Sequence, residues 1–181
     1  MIGWRRAIAG AATASWLVSS AACGYALAGR GSFLPEHVTR IGVPAFVNRT
    51  PVFNLETQVT QKVRSELLGR GGYQIQPDTA NADAVLEGEI TSLRPEIASV
   101  SGQNLAARYT ITMIARVALR DLRDNKVLWE NQSMVYRQEY EAQSGTSVTD
   151  PAAFFEQDLN ALDRMTTEFS RALVSAILEA F

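Results

Sequence analysis

The sequence contains one cysteine, Cys23, and one histidine, His37. An intrachain disulfide needs two thiols, and the common metal, redox and nucleophilic constellations need several such side chains at set spacings. No catalytic, metal-binding or cofactor-binding set can be assembled from these residues, and no GxSxG, HExxH or P-loop pattern is present. Basic charge is also scarce: 17 Lys and Arg against 19 Asp and Glu give a formal net charge of −2. A general nucleic-acid binder carries a strongly basic face, so no nucleic-acid partner is expected. Long hydrophobic runs are missing as well. The N-terminal apolar stretch, Ala7 to Val18, is too short and too rich in alanine to cross a hydrocarbon core that needs about 20 residues.

What is present at that end is an order of features. Arg5 and Arg6 precede the apolar stretch, and the small residues Ser19-Ser20-Ala21-Ala22 lead directly to Cys23-Gly24. A basic start, a short hydrophobic segment and small residues before the cut describe an export signal, here residues 1–22. A lone cysteine at such a cut resembles the lipobox of bacterial lipoproteins, although Ser20 stands where leucine is usual. That resemblance implies acylation of Cys23 and a lipid anchor. One acyl chain holds a protein only marginally, whereas two or more hold it stably. Gly24 follows where an aspartate would, by the same resemblance, signal retention at the inner membrane, so the outer membrane is the expected destination. Cleavage removes Arg5 and Arg6, which makes the mature chain more acidic. About 160 residues remain, enough for one domain.

Residues 23–37 read as a spacer interrupted by Gly29, Gly31 and Pro35, followed by a single domain over 38–181. Arg40 to Phe46 is a short β-type run in which Pro44 marks an edge position or an early strand end. Asn48-Arg49-Thr50-Pro51 is a turn. Leu55, Val59, Val63 and Leu67 recur every four positions and predict an amphipathic helix over 55–68, with Asn54 as its N-cap and Gly69, Gly71 and Gly72 to end it. The glycines follow the helix, whereas a phosphate loop precedes one, so they do not predict a phosphate site. Strands are expected at 73–76 and at 84–91, the latter ended or bent by Arg94-Pro95.

Apolar residues at Ala107, Tyr109, Ile111, Met113, Ala115, Val117 and Leu119 alternate with polar ones and predict a half-buried strand. The turn Asp121 to Asn125 sends the chain back as Val127 to Tyr140, with a bulge near Asn131. After a polar loop over 141–149, Asp150-Pro151 reads as the start of one long helix. Its stripe is Phe155, Leu159, Leu162, Met165, Phe169, Leu173, Ile177 and Phe181. The sum is an α/β (α+β) fold: a two-layer sandwich of two amphipathic helices on a mixed sheet of four to five strands.

Two charged groupings stand out. Glu87 and Glu89 share one strand face, as two carboxylates for acid/base chemistry would, but read more simply as a solvated face. Arg108, Arg116 and Arg120 share the non-core face of the main strand, with Arg94 near its start. Arginine suits anionic ligands because its planar fork donates paired hydrogen bonds, so these four are the candidate anion or partner face. The sequons at Asn48 and Asn131 read as accidental.

The order Cys23-Gly24-Tyr25, Leu34-Pro35, Ile41-Gly42-Val43-Pro44-Ala45-Phe46 and Asn48-Arg49-Thr50 resembles the lipopolysaccharide-assembly lipoprotein family, LptE. Ala82 to Ile90, Ala107 to Met113 and the closing helix extend the likeness over nearly the whole mature chain. The resemblance implies a non-catalytic outer-membrane lipoprotein that binds the β-barrel protein LptD and helps deliver lipopolysaccharide to the outer leaflet. It transfers no catalytic residue. The alternative is a lipoprotein that activates a cell-wall synthase or builds a secretion pore, since those also place a Pro-x-Phe strand end and an Asn-x-Thr turn before a helix.

Overall fold

The computed structural model describes residues 34–100, 106–141 and 151–180. Six strands form one mixed sheet: β1 (Arg40–Gly42), β2 (Val47–Asn48), β3 (Gln74–Gln76), β4 (Ala84–Val100), β5 (Ala106–Asp121) and β6 (Val127–Glu141). Their order is β3-β1-β4-β5-β6, with β2 also on β4. The short strands β3, β1 and β2 run parallel to their neighbours, and the long strands β4, β5 and β6 are antiparallel. Helices α1 (Leu55–Arg70), α2 (Pro151–Gln157) and α3 (Leu159–Leu178) complete the two layers. No described helix is long and apolar enough to cross a membrane.

The first expected strand, Arg40 to Phe46, ends early at Gly42, before Pro44, and β2 (Val47–Asn48) lies beyond it, running into the expected turn. β1 pairs with β4 at Ala84 and Val85, the chain leaves the ladder, and β2 rejoins the same edge at Glu89 and Ile90. Buried backbone groups in such a gap must find partners elsewhere. The Arg64 guanidinium donates to the Val43 carbonyl at 2.6 and 3.0 Å, and the Phe46 N–H donates to Thr60 Oγ1 at 3.0 Å. Helix α1 therefore replaces the missing strand contacts, and the added β2 accounts for six strands where five were expected.

The alternation in β5 holds throughout: Tyr109, Ile111, Met113, Ala115, Val117 and Leu119 are all buried. They pack with Leu86, Ile90 and Leu93 of β4 beneath the α1 stripe Leu55, Val59, Val63 and Leu67 and the α3 residues Leu162, Met165, Phe169 and Leu173. Lys62 pairs with Asp163 at 2.7 Å, and Arg70 reaches Ser175 Oγ at 2.7 Å, so the two long helices run side by side in the same direction. Gly88 is fixed by this packing, because a Cβ there would overlap the Phe46 ring. The bulge expected near Asn131 is present: Ala115 pairs with Met134 and Val117 with Asn131, leaving Gln132 and Ser133 opposite Arg116.

Four local expectations are corrected. Arg94 and Pro95 do not end β4, which continues to Val100 with irregularities after Ile90 and Ile97. Among the described residues only β5 pairs with it past Ile90, so Pro95 lies on an edge stretch, where a missing N–H is tolerated. Asn54 sits at the N-cap position of α1 but adopts φ 62° and makes no side-chain cap. Asn48 secures that turn instead: its Oδ1 accepts from the Thr50 N–H, and its Nδ2 donates to the Val52 carbonyl and Glu56 Oε2. Gly69 is the third glycine of the expected stop but lies inside α1, and termination falls to Gly71 and Gly72 at φ 73° and 87°.

The fourth correction concerns the closing helix, which is broken at Asp158. The Asp158 side chain accepts the Ala161 N–H at 2.9 Å and starts α3 afresh. Phe154 and Phe155 of α2 and the pairs Ala161-Leu162 through Ile177-Leu178 of α3 are all buried. Leu159, expected in the stripe, is 67% exposed at the break. The expected cap Asp150, most of the loop 141–149 and Phe181 lie outside the described residues.

Candidate functional site

Among the described residues the helices pack on the inner face of the sheet, and the outer face of β4, β5 and β6 carries none. Even-numbered residues of β5 point there, so Arg108, Arg116 and Arg120 share this face, and Arg94 joins them opposite Thr112. The structure thus brings the four arginines onto one face but not to one point. At roughly 3.3 Å per residue, Arg108 and Arg120 stand about 40 Å apart.

Glutamates interleave with them. Glu89 accepts from Arg49 at 2.7 Å and from Arg116 at 2.9 Å, and Glu139 pairs with Arg108 at 3.6 Å. Arg49, helped by Arg116 against a small burial cost, holds the Glu89 carboxyl below its ordinary value. Glu89 is thus tied into ion pairs with Arg49 and Arg116 on the strand face. Arg120 reaches only Asn125, at 3.5 Å, and Arg94 is exposed without an ion pair among the described residues. The face is a line of alternating charge suited to a broad partner. It is not a pocket for a small anion.

A second feature lies where β5 and β6 meet the helix break. Tyr109 donates to Asp158 Oδ2 at 2.8 Å, stacks on Tyr140 at 5.9 Å between centroids, and meets Phe154 edge-on at 4.7 Å. Arg164 lies 5.6 Å over the Tyr140 ring. Beside them opens a cleft of about 640 Å³, lined also by Gln138, Glu141 and Glu168. Burial, with the Asp158 charge, pushes the Tyr109 hydroxyl well above its ordinary range, and burial pushes Tyr140 up to about 12. Both phenols therefore stay protonated at neutral pH and act as donors or packing groups. Nothing here is an activated nucleophile. The sequence reading misses this cluster, because its members come from two strands and a helix break and no local pattern joins them. Among the described residues no group of three or more His, Cys, Asp or Glu side chains is placed to hold a metal.

A third cluster sits at the opposite end of β5. His37 Nε2 lies 2.7 Å from Asp121 Oδ2, with Leu34 and Val38 buried on either side. Burial opposes ionisation of Asp121, but the Arg123 N–H and the His37 ring outweigh it and hold the carboxyl below its ordinary value. Nearby, Arg40 and the Thr39 N–H hold Asp83 far below the usual carboxylate range.

Comparison with known proteins gives this architecture a relative. The sequence profile of LptE, Lipopolysaccharide-assembly, matches residues 38–177, which takes in the whole sandwich from the start of β1 to the last turn of α3. The chain belongs to the LptE family. No curated protein sequence matches. Among solved structures, protein XCC0632 from Xanthomonas campestris shares the fold, with a TM-score of 0.53 and 15% identity over 80% of this chain and 86% of that one. Rare lipoprotein B from Shewanella oneidensis gives a TM-score of 0.46 at 14% identity, covering 76% and 95%. Lipoprotein GNA1162 from Neisseria meningitidis gives 0.41 at 16%, covering 76% and 99%. The LptE family is one of lipopolysaccharide assembly, which places this chain in outer-membrane envelope biogenesis.

Proposed function

We propose that this protein is an outer-membrane lipoprotein, anchored through acylated Cys23, that binds an LptD-like β-barrel and assists delivery of lipopolysaccharide without performing chemistry itself. The observation that carries this reading is the family match across the entire sandwich, residues 38–177. The geometry supports a binding role: three long strands present an outer face that no described helix covers, and its charges alternate along tens of ångströms. A stable interface of this kind buries roughly 800 Å² on each partner, which a three-stranded face can supply. In this reading Arg94, Arg108, Arg116 and Arg120 lie in the contact with the barrel or with anionic lipid head groups.

The test is a pull-down of the tagged full-length protein from detergent-solubilised outer membranes, with mass spectrometry of its partners and of its N-terminal peptide. A large β-barrel partner together with an acylated Cys23 is the expected result. A cell-wall enzyme, or only further copies of this chain, would overturn the proposal.

A further inference from the structure

We propose that the open edge of β6 pairs with β6 of a second copy of this chain, antiparallel and centred on Gln138, so that two sheets join into one. This self-association surface is independent of the proposed function.

The first observation is which edges are open. A strand at the edge of a sheet presents unpaired N–H and C=O groups, and proteins blunt such edges by keeping them short or by placing proline there. Among the described residues β3 and β2 are only three and two residues long, and β4 past Ile90 carries Pro95. β6 runs for 15 residues without a proline and pairs only with β5. Its bulge at Gln132 and Ser133 interrupts the first half, whereas Met134 to Glu141 is in unbroken register.

The second is the chemistry of that unbroken stretch. Tyr136-Arg137-Gln138-Glu139-Tyr140 reads alike in both directions: aromatic, charge, amide, opposite charge, aromatic. Alternate residues of a strand turn their N–H and C=O groups to the same edge, so two copies related by a two-fold axis form a ladder only when that axis passes through a residue. An axis at Gln138 sets Arg137 against Glu139 of the second copy, and Tyr136 against its Tyr140, each pair occurring twice. An axis at Arg137 or Glu139 sets like charges face to face, and one at Tyr136 sets Arg137 against valine. Opposite charges and aromatic pairs across strands stabilise, and like charges directly opposite destabilise. Only Val135 against Glu141, at the two ends, lacks complementary chemistry. Arg137 is exposed with no ion pair among the described residues, and Glu139 holds only a 3.6 Å contact with Arg108.

The third is the cleft on the inner face of the same stretch. Tyr136, Gln138 and Tyr140 stand opposite Met113, Ile111 and Tyr109, all buried beneath the helices. Gln138, Tyr140, Arg164 and Glu168 line the cleft of about 640 Å³, and the buried Tyr140 hydroxyl has no hydrogen-bond partner among the described residues. In the joined sheet Tyr136 of the second copy arrives opposite Tyr140, with this cleft to receive its ring. A two-fold axis perpendicular to the sheet keeps both outer faces on one side, so pairing leaves the charged face of each copy uncovered.

The test uses the full-length protein, first in isolated outer membranes. Residues directly opposite lie about 5 Å apart between Cα atoms, within the range of a disulfide. Val135 stands about 20 Å from Val135 of the second copy at the usual rise per residue. Under mild oxidation Gln138→Cys should give a cross-linked band of two chains and Val135→Cys should not, with the parent, whose only cysteine is Cys23, as background. In sedimentation of the detergent-solubilised protein, Arg137→Glu makes both attractive charge pairs repulsive and should weaken the dimer on the order of tenfold. Adding Glu139→Arg should restore it, with circular dichroism unchanged in both variants. A monomer throughout, equal cross-linking at 135 and 138, or no rescue by the reversed pair overturns the proposal. A Gln138→Cys band that holds a different protein in place of a second copy assigns the edge to that protein and overturns it as well. Each of these results leaves the proposed function standing.

Discussion

Gly88 shows how little room the interior leaves at the scale of one residue. Gly88→Ala should cost about 1–3 kcal/mol, because its Cβ would displace the buried Phe46 ring that closes the gap made by Pro44. Urea denaturation against the parent measures it. Tyr140 gives a pH prediction with a definite sign. Its folded pKa, about 12, lies above the ordinary tyrosine value of 10.0. Burial therefore favours the protonated form, whose contribution is complete below pH 10 and is lost as pH rises towards 12. Thermal melts across that range should show the parent losing stability more steeply than Tyr140→Phe. Equal slopes would remove Tyr140 as the cause. Among the described residues the buried Tyr140 hydroxyl has no hydrogen-bond partner, so the phenylalanine variant should be no less stable at neutral pH.

At the scale of elements, Asp158 does two things at once. It caps α3 through the Ala161 N–H and accepts the Tyr109 hydroxyl, tying the helix break to the central strand. Asp158→Ala removes a cap worth about 1–2 kcal/mol and leaves a buried phenol unpaired at a similar cost. Tyr109→Phe together with Asp158→Ala should then cost less than the sum of the two single changes, which a double-mutant cycle reads directly. Helix α3 itself is indispensable. It supplies Leu162, Met165, Phe169, Leu173, Val174 and Ile177 to the core, so a chain ending at residue 158 should give a collapsed NMR spectrum with no dispersed amide signals. A truncated chain that stayed folded would contradict the two-layer account.

The whole molecule is arranged as a one-sided sheet with helices on the inner face and alternating charge on the outer. In this arrangement function depends on surfaces and on where they are held. Cys23→Ser should move the protein from the membrane fraction to the soluble periplasmic fraction while leaving the circular dichroism spectrum unchanged, since every described core residue begins at Leu34. Reversing Arg94 and Arg116 together should weaken partner capture by a few-fold without unfolding the domain, because both side chains are exposed. An unchanged yield in the pull-down would move the contact away from the outer face.

The sequence by itself determined the elements whose hydrophobic period is strong, α1, β5 and the α3 stripe, and it placed β6 with its bulge from the turn that precedes it. Period 2 and period 3.6 are properties of the local chain, so they survive in the letters. It also carried the order of features around Cys23 and the family likeness that the profile match then showed. Tertiary structure decided the rest. Whether Pro95 stops a strand depends on whether a neighbour needs its N–H, and among the described residues β4 has none on that side. At the helix break, Asp158 caps α3 and accepts a hydrogen bond from Tyr109, 49 residues away in sequence. The arginines of β5 looked like a single basic face because the strand places them together, but Glu89 and Glu139 come from the strands on either side of it. Pairing across strands is long-range, and no local pattern encodes it.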